Sequence, residues 1–217
     1  MHYDPDLNNH GLPKDPYKSC IIPRPIGWIS TISPEGLHNL APFSQFQILN
    51  FDPPYVLFSA NQNTRGQKKD TIRNIESTGE FGYSMATWDL KEKVNITAME
   101  VPPEVDEFEL ANLSKQPAIK IKPCLVRESP IKFECVLYQL LRIPGGGLIG
   151  TIDVVIGRVV MIHIEDDVID ENGKIDVLKI KPLARLGYYD YTVVNSVFEM
   201  IIPGQNEILL KGLEGQR

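Results

Sequence analysis

Short runs of β-branched and aromatic residues, separated by turns rich in proline and glycine, follow one another along most of the chain. Such runs are typical of strands, because branched and aromatic side chains pack well on a pleated surface. Two segments, residues 70–78 and 88–99, have the periodicity of helices. Because the strands come in consecutive, hairpin-like order, the pattern indicates an antiparallel barrel with helical insertions and argues against alternating βαβ units. The main predicted strands lie at residues 26–33, 38–49, 55–60, 80–85, 131–143 and 151–164.

The length and composition are those of one globular domain. The chain has 217 residues, of which 42% are hydrophobic and 23% charged. A chain of this length buries roughly 70% of its unfolded surface, so it needs no metal or disulfide to fold. We therefore predict a single domain over residues 1–217, with an N-terminal arm at 1–20 and a tail at 196–217. The formal net charge of −6 disfavours nucleic acid and anionic membranes as partners, because both require a basic surface.

Cysteine usage and the N-terminal sequence bear on the compartment. The three cysteines form no Cys-x-x-Cys pair, and their odd number argues against a disulfide framework. We therefore expect a cytoplasmic protein. The first residues lack the basic and then apolar order of a signal peptide, and no segment approaches the roughly 18 apolar residues of a membrane span.

The sequence contains no convincing motif for dinucleotide binding, metal binding or hydrolysis. Residues 145–150 match the pattern G-x-G-x-x-G. However, β-branched residues follow where a dinucleotide-binding fold needs a helix, so we predict a hairpin turn. The four histidines are scattered without metal-ligand spacing, and no Gly-x-Ser-x-Gly elbow is present. We predict no metal site.

A cationic loop precedes the first predicted helix. Arg65, Lys68 and Lys69 lie just before Asp70 and Thr71. The free amides and the dipole of a helix N-terminus favour an anion, and the cations would supply countercharge, so a phosphate site is one interpretation. The other interpretation is a solvated basic turn in which Asp70 or Thr71 caps the helix.

Hydroxyl and amide side chains alternate with apolar residues on two neighbouring predicted strands. Ser30 and Thr31 lie on the first strand, whereas Asn39 and Ser44 flank Pro42 on the second. Because a proline interrupts the ladder of backbone hydrogen bonds, nearby backbone groups would be available to a planar ligand. A plain pair of strands whose hydroxyls cap a barrel rim would explain the same pattern.

These segments resemble the flavin reductase-like, FMN-binding split-barrel family. Residues 24–31, Arg-Pro-Ile-Gly-Trp-Ile-Ser-Thr, and residues 39–44, Asn-Leu-Ala-Pro-Phe-Ser, are similar to its first block, and residues 69–81 resemble its second. The resemblance covers roughly residues 20–195 and implies a mainly β fold, a six-stranded antiparallel Greek-key split β-barrel with a few short helices. Later family blocks are similar to residues 105–110, 134–135, 157–160 and 182–187.

The resemblance also implies which residues hold FMN. Thr31 and Ser44 match positions that line the flavin site, and the backbone of residues 39–42 matches the segment beside the isoalloxazine edge. Lys69 and Thr71 match the phosphate-binding block. The cofactor-binding residues implied in this way, some through a looser match, are Ser30, Thr31, Asn39, Leu40, Ala41, Pro42, Ser44, Ser59, Asn61, Arg65, Lys69 and Thr71.

For function, the resemblance implies an NAD(P)H:flavin oxidoreductase that passes a hydride from NADH or NADPH to the N5 atom of FMN, with FAD as the alternative flavin. It further implies a homodimer with the flavin at the interface, and a monooxygenase or another electron acceptor as partner. Two other functions stay open. One is an FMN-bound electron carrier without nicotinamide activity, similar to a flavoredoxin, and the other is a flavin-free dimeric binding module.

Some residues near the predicted site have no role that the resemblance fixes. His163, near the end of the last long strand, is a candidate for a catalytic position near the nicotinamide or flavin edge, or a strand-end histidine bonded to a neighbour. Arg185 and Tyr188 match a closing block whose role varies within the family. Residues 82–84 and Arg158 depart from the family pattern and leave the substrate undefined.

Overall fold

The computed structural model describes residues 1–204, so the part of the predicted tail at 205–217 lies outside the described residues. Within residues 1–204, no helix is long and apolar enough to cross a membrane. The helices are α1 (Asp70–Thr78), α2 (Lys91–Ile96), α3 (Glu107–Leu110) and α4 (Val177–Ile180), and 3-10 turns lie at Pro16–Ser19, Trp88–Leu90 and Asp166–Val168. The strands are β1 (Arg24–Pro25), β2 (Gly27–Ile32), β3 (His38–Phe43), β4 (Phe46–Phe51), β5 (Pro54–Asn61), β6 (Glu80–Met85), β7 (Lys115–Gln116), β8 (Leu125–Val126), β9 (Ile131–Ile143), β10 (Ile152–Ile164), β11 (Leu183–Gly187) and β12 (Asp190–Val193).

Seven of these strands form one antiparallel sheet in the order β3-β2-β6-β9-β10-β5-β4. Its two outer strands, β3 and β4, are joined by only Ser44 and Gln45. A flat sheet of seven strands would separate its outer strands by roughly 29 Å, whereas a two-residue connection reaches only about 10 Å. The sheet must therefore curl into a barrel. The predicted class, a mainly β antiparallel barrel with a few short helices, is confirmed, with seven strands in the main sheet where six were predicted.

The additional strand arises because the segment predicted as one strand at residues 38–49 divides at Ser44 and Gln45. Its first half, β3, pairs with β2, and its second half, β4, pairs with β5. Apolar residues occur on both sides of the break, with Phe43 before it and Phe46 after it, so the sequence pattern by itself does not reveal that the two halves have different partners. The short strands β1, β7, β8, β11 and β12 were also not predicted, because two to five residues carry little periodic signal.

The predicted second helix, residues 88–99, is shorter in the structure. A 3-10 turn at Trp88–Leu90 leads into α2, which ends at Ile96. The Thr97 hydroxyl donates to the backbone oxygen of Val94 and accepts from Trp28 Nε1 at 2.8 Å. Such a side-chain bond to the backbone competes with the helix and accounts for its early end.

Aromatic and branched side chains fill the barrel interior, and α1 contributes to the same cluster. Ile72 and Ile75 are fully buried on one face of this helix and pack against the interior residues. Gly79, with a φ of 72°, ends the helix in the left-handed conformation that glycine adopts without strain. The interior side chains include Ile29, Phe43, Phe46, Val56, Phe58, Phe81, Tyr83 and Val159.

A second apolar cluster lies on the opposite face of β2 and β3. Trp28 and Leu40 are fully buried there against Val94 of α2 and Phe108 of α3. The insertion between β6 and β9 is therefore anchored on the strand pair that carries much of the predicted site.

Substitution of Gly157 tests the packing of the barrel interior. A Cβ at this position of β10 would lie 2.2 Å from the ring of Phe81. We expect Gly157→Ala to lower the free energy of unfolding by about 1–3 kcal/mol, because extra atoms in a packed core displace their neighbours. Gly146→Ala is the control, since no atom lies within 4 Å of its Cβ position. Urea unfolding that gave the two variants equal stability would contradict this packing.

Candidate functional site

A cleft lies between the N-terminus of α1, the edge strand β3 and the insertion that follows β6. It consists of two adjoining cavities of about 510 Å³ and 300 Å³, whose walls share Ala41, Lys69 and Met99. We call the larger one, which Asn39, Thr71 and Glu107 also line, the polar cavity, and the smaller one the strand cavity. Both volumes are close to or within the range of roughly 300–1,000 Å³ that is typical of cofactor sites.

A continuous chain of side-chain hydrogen bonds borders the polar cavity. Asn74 Nδ2 donates to Thr31 Oγ1 at 3.0 Å, and Thr31 Oγ1 donates to Asn39 Oδ1 at 3.3 Å. Thr71 Oγ1 donates to the same Asn39 oxygen at 2.7 Å. Because these hydrogen bonds connect β2, β3 and α1, they fix the beginning of the helix relative to the edge strand β3.

Glu107, the first residue of α3, sets the direction of these hydrogen bonds by orienting the Asn39 side chain. Its Oε1 accepts from Asn39 Nδ2 at 2.8 Å, and its Oε2 accepts from the backbone amide of Leu40 at 3.0 Å. An ionised carboxylate can only accept hydrogen bonds. Glu107 therefore holds the Asn39 amide group with its nitrogen toward α3 and its oxygen toward Thr71 and Thr31.

The environment of Glu107 shifts its protonation equilibrium. The residue is 5% exposed, and this burial raises the pKa of its carboxyl from 4.5 to about 7. Hydrogen bonds from the Leu40 amide and from Asn39 act in the opposite direction without cancelling the effect of burial. The carboxyl that orients Asn39 thus titrates near neutral pH.

Residues 105–110 resemble a family block, but Glu107 is not among the site residues predicted from the sequence. One signal was available, since Glu107 lies among the apolar residues Phe108, Ala111 and Leu113, all of which are buried. A carboxyl in such a segment requires hydrogen-bond donors, because burial of an unpaired charge is costly. Those donors come from β3, nearly seventy residues earlier in the chain, so the sequence pattern did not identify them.

The N-terminus of α1 opens into the polar cavity without a side-chain cap. Lys69 is the N-cap residue, and its side chain forms no capping hydrogen bond. The first-turn amides of a helix have no intrahelical acceptor. Lys69 and Arg65 both line the cavity and form no ion pair with a carboxylate in the described part of the chain, whereas the neighbouring Lys68 pairs with Glu76.

Asp70 and Thr71 do not cap the helix, although either could have done so on sequence grounds. Both lie inside α1, where the Asp70 carboxylate pairs with Arg73 and the Thr71 hydroxyl donates to Asn39. The Ile72 amide donates to the Lys69 carbonyl oxygen, so the amides of Asp70 and Thr71, together with the Lys69 ammonium, are available to an anionic ligand. This donor set is suited to a phosphate group.

The strand cavity lies at the side of the barrel where β3 ends and β4 begins. Pro42, Phe43 and Ser44 line it from one side, and Ser59 and Asn61 of β5 from another. Among residues 1–204, no carboxylate and no histidine line it. The cavity therefore offers apolar surface, hydroxyls and side-chain amides to a ligand, and the charged groups in its wall are cationic.

Positive charge reaches the strand cavity from two elements. Lys69 lines it from the start of α1, and Arg185 from β11. Arg185 donates to the backbone oxygen of Tyr188 and to the hydroxyl of Tyr191, and its guanidinium lies 4.5 Å from the centre of the Tyr191 ring. The guanidinium is thus held in one orientation at the wall of the cavity.

The structure brings most of the predicted cofactor-binding residues together. Thr31 and Leu40 lie behind the cleft wall, where Thr31 belongs to the hydrogen-bond chain and the Leu40 amide donates to Glu107. Ser30 is fully buried, and its hydroxyl lies against Gly82 with no hydrogen-bond partner in the part of the chain that the structure describes. The predicted residues that line the cleft are Asn39, Ala41, Pro42, Ser44, Ser59, Asn61, Arg65, Lys69 and Thr71.

His163 lines neither cavity of the cleft. It lies near the end of β10, where its Nε2 is 2.7 Å from Oε1 of the fully buried Glu134. Burial alone would raise the pKa of Glu134, but hydrogen bonds from the amides of Ile119 and Lys120 and from His163 outweigh it and hold that pKa below its usual value. In this position His163 is bonded to a neighbouring strand, the second of the two roles considered from the sequence.

The chain is similar in sequence and in fold to known proteins. The model of the flavin reductase like domain matches residues 19–194. A protein of Aquifex aeolicus is 38% identical over 171 residues, which cover 78% of this chain and 84% of the relative. Nitrilotriacetate monooxygenase component B from Bacillus cereus is 32% identical and superposes with a TM-score of 0.82, over 92% of this chain and 98% of that one.

A more distant structure extends the likeness of fold. A protein with a split barrel domain from Shewanella frigidimarina has a TM-score of 0.77 at 21% identity, over 93% of this chain and 99% of that one. At this identity the match concerns the fold alone, and it agrees with the barrel inferred from the order of the strands.

The raised pKa of Glu107 predicts a specific pH dependence of stability. Between pH 4.5 and about 7 the folded state retains a proton that the unfolded state has lost, so the free energy of unfolding should fall as pH rises through this window. We expect Glu107→Gln to remove this component, which amounts to up to about 3 kcal/mol. Glu109→Gln, on the exposed side of α3, is the matched control. Parallel curves for wild type and Glu107→Gln in urea unfolding at pH 5 to 8 would contradict the assignment.

Proposed function

The chain belongs to the flavin reductase like domain family, and on that premise we propose that its cleft binds FMN, which NADH or NADPH then reduces. FAD is the alternative flavin. The observation that carries the proposal is the uncapped N-terminus of α1, which opens beside Lys69 into a cavity of cofactor size.

The polar cavity fits the phosphate and the hydroxylated chain of FMN. The first-turn amides of α1 and the side chains of Lys69 and Arg65 are donors or cations suited to a phosphate. The Thr71 hydroxyl proton is already committed to Asn39, so this side chain would accept a hydrogen bond from a ligand hydroxyl while its backbone amide serves the phosphate.

The strand cavity fits the flat ring system. When bound, the isoalloxazine ring of FMN accepts a hydride from the reduced nicotinamide. Pro42 and Phe43 would exclude water from one part of the ring, and Ser44 offers a hydroxyl at its edge. Lys69 and Arg185 supply positive charge, which favours an electron-rich ligand. Since no carboxylate or histidine of the described part of the chain lines this cavity, the proposed contribution of the protein is binding, orientation and electrostatics.

We further propose a homodimer in which the second copy covers part of the cleft. The edge strand β4 exposes Ile48, Leu49 and Phe51, the last with 74% of its surface accessible. An exposed apolar edge strand favours association with another chain. The similarity to a monooxygenase component supports a monooxygenase, or another acceptor, as the destination of the electrons. A cytoplasmic location is part of the same proposal.

Two other functions are distinguished from this one by simple measurements. An FMN electron carrier would bind the flavin but would not oxidise nicotinamide by itself. A flavin-free binding module would be purified without yellow colour and would not take up FMN. The donor set at the start of α1 favours a flavin protein over the last alternative.

The direct test is an assay of NADH and NADPH oxidation with added FMN or FAD, monitored by the absorbance of the reduced nicotinamide. Turnover that depends on the flavin supports the reductase. Tight FMN binding without turnover of either nicotinamide would contradict it and would identify the electron carrier instead.

Two adjacent lysines provide a matched test of the phosphate site. We expect Lys69→Ala to weaken FMN binding at least tenfold, about 1.4 kcal/mol or more, because it removes a cation from the proposed phosphate site. Lys68→Ala should change the affinity less than about twofold, since Lys68 pairs with Glu76 and does not line the cleft. A flavin fluorescence titration measures both, and equal affinities of the two variants would refute the assignment of Lys69.

A further inference from the structure

The N-terminal arm and the β11–β12 hairpin enclose a basic cavity of about 560 Å³, which we call the arm pocket. Lys14, Lys18, Arg24 and Arg185 line it, together with one carboxylate, that of Asp15. Within residues 1–204, none of the four cations forms an ion pair with a carboxylate. In a chain with a net charge of −6, this local excess of positive charge favours an anionic ligand.

Two of the cations are already fixed in orientation. Arg24 Nη1 donates to the backbone oxygens of Lys18 at 3.1 Å and Ile21 at 2.9 Å, while its buried Nε has no hydrogen-bond partner among residues 1–204. Arg185 is held by the Tyr188 carbonyl and the Tyr191 hydroxyl. Fixed guanidinium groups lose little conformational freedom when they bind an anion, so the pocket is preorganised.

The arm itself is attached to the hairpin by specific contacts. Ser19 Oγ donates to the backbone oxygen of Leu186 at 2.8 Å, and Tyr188 Oη donates to that of Asp15 at 3.0 Å. At Gly187, with a φ of 99°, a Cβ would lie 2.3 Å from Ser19 Oγ and 2.4 Å from the Lys18 carbonyl oxygen. The close approach that forms the pocket therefore depends on glycine at this position.

The arm pocket adjoins the strand cavity, and the two share Ser44, Gln45 and Arg185 in their walls. At its outer wall, Tyr189 is 91% exposed and presents an aromatic ring to solvent. Bases stack on exposed aromatic rings of this kind. The strand cavity can thus accommodate a redox-active ring, the arm pocket a group of negative charges, and the exposed face of Tyr189 a second aromatic ring.

We propose that the arm pocket binds the pyrophosphate of the nicotinamide dinucleotide that donates the hydride. This inference rests on the proposed function, since it concerns the second substrate of the same cleft. A dinucleotide whose nicotinamide enters the strand cavity must place its two phosphates nearby, and the arm pocket provides the adjoining cations. Tyr189 then stacks on the adenine.

The test is the binding of ADP-ribose, which retains the pyrophosphate and adenine but lacks the nicotinamide, to the FMN-loaded protein by calorimetry. We expect the double variant Lys14→Ala/Lys18→Ala to bind ADP-ribose at least tenfold more weakly than wild type. Both side chains are exposed, so their removal should not disturb the core. Lys120→Ala/Lys174→Ala, with two exposed lysines away from the pocket and the same change in net charge, should bind as wild type does.

The outcomes separate this inference from the proposed function. The KM for NADH or NADPH should rise in parallel with the loss of ADP-ribose affinity, while the FMN affinity of the Lys14/Lys18 variant stays within twofold of wild type. Binding of ADP-ribose by a wild type that oxidises no nicotinamide would support the pocket and refute the reductase. No ADP-ribose binding to wild type, or equal binding to the Lys14/Lys18 variant and wild type, would overturn the arm pocket whatever the FMN titration gives.

Discussion

Two residues, Ser44 and Gln45, connect opposite edges of a seven-stranded sheet, and their short reach forces the sheet to close. The closure brings the end of β3 close to β5 and creates a seam on one side of the barrel. The strand cavity lies at this seam, and α1, whose apolar face is buried with the barrel interior, directs its N-terminus into the adjoining polar cavity. The proposed flavin site is thus a consequence of how the barrel closes.

Closure places the site, and the insertion after β6 gives it a defined hydrogen-bond pattern. The apolar cluster around Trp28, Leu40 and Phe108 fixes α3 against β3, which brings Glu107 to Asn39. The Asn39 amide oxygen in turn accepts from the hydroxyl of Thr71 at the start of α1, so the orientation of Asn39 determines where this hydroxyl points its proton. The arm pocket is assembled differently, by contacts between the two ends of the domain, yet it shares walls with the same seam.

Local features could be predicted from the sequence to the residue. Helix α1 and the strands β6 and β9 have the predicted bounds, because each combines a clear periodicity with a glycine or proline boundary. The cationic loop before α1 was also identified, since helix N-termini have a recognisable chemistry. What the sequence did not reveal depends on distant partners: the different pairing of β3 and β4, the contact of Glu107 with β3, and the arm pocket, whose cations come from residues 14–24 and from Arg185.

A comparison of FMN with riboflavin tests most directly the proposal that the start of α1 binds the phosphate of FMN, because the two ligands differ only by that phosphate. Fluorescence titration of the wild-type protein with each ligand measures the contribution of the phosphate without any mutation. If the first-turn amides and Lys69 hold the phosphate, riboflavin should bind at least a hundredfold more weakly, about 2.7 kcal/mol or more. Affinities within twofold of each other would contradict the account.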